Sequence, residues 1–126
     1  MLVRAKSKYI RISPYKLRPV VDVIRGYSVD RALAWLQTTA LKRVVPVRKT
    51  LLSAYSNGKN ILSKDVGMNE FFIKEIKVDQ GPVIKYYKPG AMGRANVQRR
   101  RLSHLQIVLE RKDKVANKGD KKVNKK

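Results

Sequence analysis

Cysteine is missing from this chain. Its absence excludes a disulfide framework and any thiolate metal site, and it is compatible with a reducing cytoplasm. Histidine occurs once, at His104. A lone histidine in a strand-like stretch is a poor catalytic base, because proton transfer needs a positioned partner. No run of about 18 apolar residues occurs, so nothing reads as a membrane-spanning helix. Met1-Leu2-Val3-Arg4 leads straight into patterned sequence, leaving no room for a signal or transit peptide ahead of the fold. P-loop, dinucleotide fingerprint and metal-ligand spacings are all lacking. Asp22 and Asp30 bracket a helix-to-helix turn, which suits solvated or capping roles rather than a carboxylate pair. The expectation is no catalytic residues, no metal, no cofactor, no small-molecule substrate and no internal repeat.

Acids are the scarcest charged groups. Nine Asp plus Glu face 30 Lys plus Arg in 126 residues, a formal net charge of +21. The isoelectric point is about 10.6, past the level that marks nucleic-acid-binding domains. No acid falls in 1–21, in 31–64 or in 80–109. Positive potential therefore covers several faces, and self-repulsion makes a polyanion partner part of the working state. With 43% hydrophobic residues, enough apolar matter remains for one folded domain.

Residues 3–9 alternate. Val3, Ala5, Ser7 and Tyr9 take one side and Arg4, Lys6 and Lys8 the other, which predicts a half-buried strand with a basic outer face. A phase shift at Ile10 and Ile12 predicts a bulge or strand end. Ser13-Pro14 opens a helix, with Ser13 as cap and proline where its missing N–H costs nothing. Leu17, Val20, Val21 and Ile24 form its apolar stripe. Arg25 suits its last turn and Gly26 a left-handed stop. Pro19 removes the bond to the Tyr15 carbonyl, so a kink or loose first turn is expected. Ser28 caps a second helix with Val29, Ala32, Leu33 and Leu36 inward and Trp35 at its edge. A third runs from about Lys42 to Asn60, with Pro46 in its first turn. Val44, Val47, Leu51, Ala54 and Gly58 share one of its faces. Its second half is small enough for another backbone to pack close. A loop is expected over 61–70, then strands over Phe71–Val78 and Leu102–Arg111. The order predicts an α+β domain over 1–111. It has a small, mainly antiparallel three-stranded sheet, three helices on one face and a long protruding β-hairpin. Residues 112–126, with seven lysines and two aspartates, read as a disordered basic tail.

The acid-free stretch between the last two strands is the most telling segment. It carries Lys85, Lys88, Arg94 and the triplet Arg99-Arg100-Arg101, with Tyr86 and Tyr87 between them. It cannot bury a core, and alone it repels itself. Against polyphosphate, the cations release counterions and the tyrosines offer flat faces to unstacked bases. Its halves can pair as a hairpin arm over about 82–101. Pro89-Gly90 supplies the turn, with glycine at positive φ, and Gly93 a second bend. Basic strand and helix-start residues Arg4, Lys6, Lys8, Arg11, Lys16 and Arg18 join the candidate RNA-binding set. An architectural DNA-binding protein with a basic β-arm is the alternative reading.

The residues Arg11-Ile12-Ser13-Pro14, Lys16, Arg18, Asp22 and Ile24-Arg25-Gly26 resemble the opening signature of the family of ribosomal protein twenty-two of the large subunit. Ser53-Ala54, Asn57 and Asn60 resemble its third helix. Gly81-Pro82, Lys85, Pro89, Ala91, Gly93-Arg94-Ala95, Arg100 and Ser103-His104 resemble its arm and closing strand. The resemblance implies a non-enzymatic component of the cytoplasmic ribosome. It implies a domain near the peptide exit and a hairpin that reaches through large-subunit rRNA to line the tunnel and supports assembly. Lys85, Lys88, Arg94 and Arg99 to Arg101 would contact rRNA. Lys88, Pro89, Gly90, Ala91, Met92, Gly93, Arg94 and Ala95 would form the tunnel-facing tip. Partners would be rRNA, neighbouring large-subunit proteins and the nascent peptide, with macrolides binding near the tip. Tyr86 and Gly90 depart from the family pattern, which favours arginine there, and Pro19 and Gly58 replace more helix-friendly residues.

Overall fold

The alternation at the start of the chain becomes strand β1 (Leu2–Ile10) in the structure, a computed structural model describing residues 2–62 and 66–111. Helices α1 (Pro14–Ile24), α2 (Val29–Thr38) and α3 (Val44–Leu62) follow. Strands β2 (Phe71–Pro89) and β3 (Ala95–Arg111) complete the fold, each preceded by a short 3-10 turn, Met68–Glu70 and Ala91–Gly93. The expected lysine-rich tail and the centre of the 61–70 loop lie outside the described residues. The ends of that loop are more ordered than expected, because α3 runs to Leu62 and the 3-10 turn fills 68–70.

The three strands form one antiparallel sheet in the order β1-β3-β2, so the last strand is the central one. Val3, Leu109 and Ile73 lie in one row, and Ala5, Ile107 and Ile76 in the next. All six are buried on the face that the helices cover. The helical stripes meet them: Leu17, Val21 and Ile24 from α1, Val29, Ala32 and Leu36 from α2, Val47, Leu51 and Ala54 from α3. Burying each large aliphatic side chain stabilises the fold by roughly 1.5–3 kcal/mol. No residue of the arm beyond Val78 and before Leu105 belongs to this cluster.

Several local expectations need correction. Tyr9 does not continue the inward row. β1 slips register between Ser7 and Ile10, which puts Ile10 inward against Ser103. Tyr9 takes a left-handed φ of 59° and is 63% exposed. Its N–H donates to His104 Nδ1 at 3.1 Å, and the two rings meet edge-on. His104 is thus a structural acceptor. Ser13 occupies the cap position of α1, but its hydroxyl makes no cap bond, whereas Ser28 Oγ accepts from the Arg31 N–H. Helix α1 continues through Pro19. Arg25 lies just past its end, paired with Asp22 at 3.3 Å, and Gly26 turns at φ 81° as expected. The small half of α3 receives the Phe71 ring, a Cβ on Gly58 standing 2.8 Å from its Cζ, as well as strand β1, whose Arg4 carbonyl accepts from Asn57 Nδ2.

The two strands flanking the arm extend far beyond their expected limits. β2 and β3 pair without a separate boundary from Phe71↔Arg111 to Pro89↔Ala95, broken by shifts between Ile73 and Glu75 and between Gln80 and Val83. The second shift marks the base of the arm. A Cβ on Gly81 would lie 3.0 Å from the Leu102 carbonyl oxygen, so glycine here permits a close approach of the two backbones. At the tip, Gly90 has an extended φ of −109°, contrary to the Pro-Gly turn expectation. Met92 and Gly93 take the left-handed positions, φ 58° and 74°. The Gly90 N–H closes the loop on the Arg94 carbonyl.

Candidate nucleic-acid interface

The arm places its residues on two faces because successive strand side chains point to opposite sides. Val83, Lys85 and Tyr87 share one face with Arg101, Arg99 and Val97, their cross-strand partners. Ile84, Tyr86 and Lys88 share the other with Arg100, Gln98 and Asn96. Every one of these side chains is solvent-exposed. The two tyrosines therefore serve different faces. Tyr87 is 70% exposed and Tyr86 40%, with the Lys88 ammonium 6.0 Å from the Tyr86 ring centroid. From Val83 to Pro89 the arm projects roughly 20 Å at the usual strand rise. Each face presents a flat ring between cations and β-branched residues, the pairing that suits bases and phosphates together.

At the base of the arm, three segments converge on an open concavity of about 450 Å³. Arg11, Ile12, Ser13 and Lys16 come from the turn into α1, Lys42 and Arg43 from the α2–α3 connection, and Arg99 to Arg101 from β3. No acid lines it. The Ser103 hydroxyl, fully buried, donates to the Ile12 carbonyl and so fastens the turn carrying Arg11 to the strand carrying the arginine triplet. A smaller hollow beside it, lined by Pro14, Tyr15, Arg18, Gln80 and Arg101, brings Arg18 to the same end of the molecule. The Arg18 guanidinium lies 5.6 Å from the Tyr15 ring centroid, within cation–π range.

The structure does not bring every candidate together. Arg4, Lys6 and Lys8 point outward along β1, away from the helices. Arg4 borders a separate hollow with Asn57 and Asn60, where Asn57 Nδ2 donates to the Arg4 carbonyl at 3.2 Å. Lys88 is the last residue but one of β2 and Arg94 follows the tip turn. Pro89 and Ala95 pair as the last rung of the arm, and Gly90, Ala91 and Gly93 turn around the fully exposed Met92. Lys42 and Arg43 line the concavity at the arm's base, and the sequence reading did not name them among the candidates. Their only signal was the acid-free stretch 31–64 around the break between two helical patterns.

Most of the described acids sit apart, although Asp79 pairs across the strands with His104 beside Gln80 at the arm's root. Asp22, Asp30, Glu70 and Glu110 gather toward the opposite end, where Tyr27 O accepts from the Ile73 N–H, Ser28 bridges Phe72, and Glu110 pairs with Phe72 across the strands. Glu70 bonds Arg111 at 3.1 Å. On the outer sheet face Lys77 meets Glu75 at 2.8 Å. That hydrogen bond and the ammonium's charge hold the Glu75 carboxyl below its usual range and raise the Lys77 ammonium above its own. Among the described residues no cluster of His, Cys, Asp or Glu could hold a metal, and no helix is long and apolar enough to cross a membrane.

Residues 5–110 match the family model described as ribosomal protein L22p/L17e. The chain is 46% identical over 112 residues to the large ribosomal subunit protein uL22 of Pelotomaculum thermopropionicum, covering 89% of this chain and 97% of that protein. It is 45% identical over 114 residues to the uL22 of Carboxydothermus hydrogenoformans, covering 90% and 99% respectively. Against the uL22 of Chloroflexus aggregans it is 43% identical over 109 residues, covering 86% and 95%.

Proposed function

This chain belongs to the ribosomal protein L22p/L17e family, and on that premise we propose that its arm and basic end hold segments of large-subunit rRNA together during and after assembly. The protein is a structural constituent of the large ribosomal subunit, not an enzyme, and works in the cytoplasmic ribosome. Its domain recognises folded rRNA by shape and phosphate position. The arm threads between rRNA segments, with Lys85, Arg99, Arg101 and Tyr87 serving one and Tyr86, Lys88 and Arg100 the other. Its tip, Lys88 to Ala95, lines the peptide exit tunnel and meets the nascent peptide, and macrolides bind close to it. Neighbouring large-subunit proteins meet the domain outside the RNA-facing end.

One observation carries this reading: the arm is a two-stranded ribbon exposed on both faces, with cations and aromatic rings on each and no acid from 80 to 109. A bare ribbon of that kind is marginal in water. RNA on both sides supplies what a protein core supplies elsewhere, so the arm orders on contact.

Replacing Arg99, Arg100 and Arg101 together with alanine tests it. Affinity for a large-subunit rRNA transcript should fall, and the slope of log affinity against log salt should flatten by about 1 for each phosphate no longer neutralised. An unchanged slope removes the triplet from the interface. Stronger binding by the wild-type chain to kinked duplex DNA than to the transcript would favour an architectural DNA-binding role.

A further inference from the structure

We propose that the concavity at the arm's base is a seat for a sharply turned RNA backbone, with Lys42 and Arg43 as binding residues that complete it. The inference rests on the rRNA-binding reading above and adds the ligand's shape. Cations from three separate stretches of chain border about 450 Å³: Arg11 from the turn before α1 with Lys16 from that helix's first turn, Lys42 and Arg43 from the α2–α3 connection, and the triplet from β3, whose Arg99 and Arg101 take one face of the strand and Arg100 the other. None has a carboxylate in the lining to answer it. Ser13 adds a hydroxyl that caps nothing, and the positive end of the α1 dipole lies at the same place.

The seat is built rather than accidental. The buried Ser103 hydroxyl fixes the Arg11 turn to β3 through the Ile12 carbonyl. The register shift between Gln80 and Val83, with Gly81 close against Leu102, sets where the triplet leaves the sheet. Lys42 and Arg43 precede α3, whose buried Val44 and Val47 anchor that end of the helix in the core. The convergence is therefore fixed by the fold, and like charges are held together at an electrostatic cost that only an anion relieves.

Geometry decides what kind of anion. An open hollow of this volume is on the order of 10 Å across and so faces a short stretch of backbone, one strand of a duplex repeating its phosphates every ~3.4 Å. A straight nucleic-acid duplex carries roughly one phosphate per 1.7 Å of axis, divided between two strands. Such a span therefore presents only about two or three phosphates to one side. Arg11, Lys16, Lys42 and Arg43, with those of the triplet that share their side, ask for a denser cluster. A strand that doubles back crowds its phosphates on a convex knuckle, which fits a concave basic seat. Lys42 and Arg43 then grip the far side of the knuckle from the arginine triplet, so the RNA ties the arm's root to the helical layer.

The test uses the full chain with K42A/R43A, the triplet alanine variant and their combination, each measured against a large-subunit rRNA transcript and against a straight RNA duplex over a salt series. K42A/R43A should weaken transcript binding about tenfold or more and flatten its salt slope by about 2, with little change on the duplex. The combined variant should weaken binding by less than the product of the two separate factors, because both sets hold one RNA knuckle from its two sides and losing either loosens the other. K42R/R43K should retain near-normal binding. The proposal is overturned if K42A/R43A leaves transcript binding and slope unchanged while the triplet variant still weakens both, or if the duplex suffers as much as the transcript. If neither variant affects the transcript, the rRNA-binding reading fails with it. Unchanged circular dichroism separates these outcomes from misfolding.

Discussion

Single positions carry two consequences that differ in kind. Gly58 faces the Phe71 ring, which is itself fully buried. A methyl group there must push the ring against Tyr55, whose ring meets it edge-on at 5.9 Å. Helix propensity favours alanine over glycine by about 1 kcal/mol, but overpacking a close-packed core typically costs about 1–3 kcal/mol. Gly58→Ala should therefore lower the urea midpoint of unfolding despite improving the helix, and a raised midpoint would mean that Phe71 relaxes freely. Tyr87 concerns binding instead. It is the more exposed of the tyrosine pair, and its ring lacks the lysine that sits by Tyr86. Tyr87→Ala should weaken binding to an rRNA transcript by about 1–3 kcal/mol, the usual loss of one stacked base, and by more than Tyr86→Ala does. Fluorescence titration of the two variants checks the order. Sequence spacing put the tyrosines on opposite faces, but which is freer depends on cross-strand neighbours that only the register reveals.

Elements divide cleanly into those that hold the domain together and those that do not. The helices were readable because their apolar residues recur at three- and four-residue spacing and because Ser28, Gly26 and Pro14 punctuate them. The sheet was readable in its inward residues but not in its bulges. Ile73 and Ile76 are both buried, a spacing that simple alternation forbids and the shift before Glu75 explains. The tip misled for a comparable reason. Pro89-Gly90 has turn chemistry, yet the bend is made three residues on, at Met92 and Gly93. Gly90 is small because Asn96 and the Arg94 carbonyl crowd it, 2.8 and 3.0 Å from where a Cβ would stand. The convergence of Lys42 and Arg43 on the arm's root was illegible, since they lie over fifty residues from the triplet and no local pattern links them. Because the core cluster contains none of the arm, joining Pro82 to Leu102 by a short glycine-containing turn should leave the domain folded. Its thermal midpoint should stay within a few degrees of the parent while affinity for rRNA falls steeply. Loss of cooperative unfolding would show that the arm supports the core after all.

Across the whole molecule, charge is spread unevenly. The basic arm and its root stand at one end, and Asp22, Asp30, Glu70 and Glu110 gather at the other. A net charge of +21 on a chain of this size opposes its own compaction. Added salt should therefore raise the thermal midpoint of the free protein, because screening shortens the range of repulsion to about 10 Å at 0.1 M and less beyond it. Phosphate should do so more than chloride at equal ionic strength, since it can occupy the basic end directly. A midpoint that falls between 0.05 and 0.5 M salt in differential scanning fluorimetry would mean that attractive pairs such as Arg111–Glu70 outweigh the repulsion.

The strand order has a further consequence, for the birth of the molecule. β1 and β2 each pair with β3 and are not neighbours of one another, and Leu2 pairs with Glu110 at the opposite end of the described chain. A ribosome making this chain at about 5–20 residues per second releases β1 many seconds before its only partner exists. Through that interval the helices can form locally, but the sheet has no middle. Closure waits for the second half of the final strand, whose first half completes the arm just before it. The domain is thus assembled from its outside inward, with a strongly cationic and unclosed chain present throughout. RNA met during that window can order the arm while the root is still open.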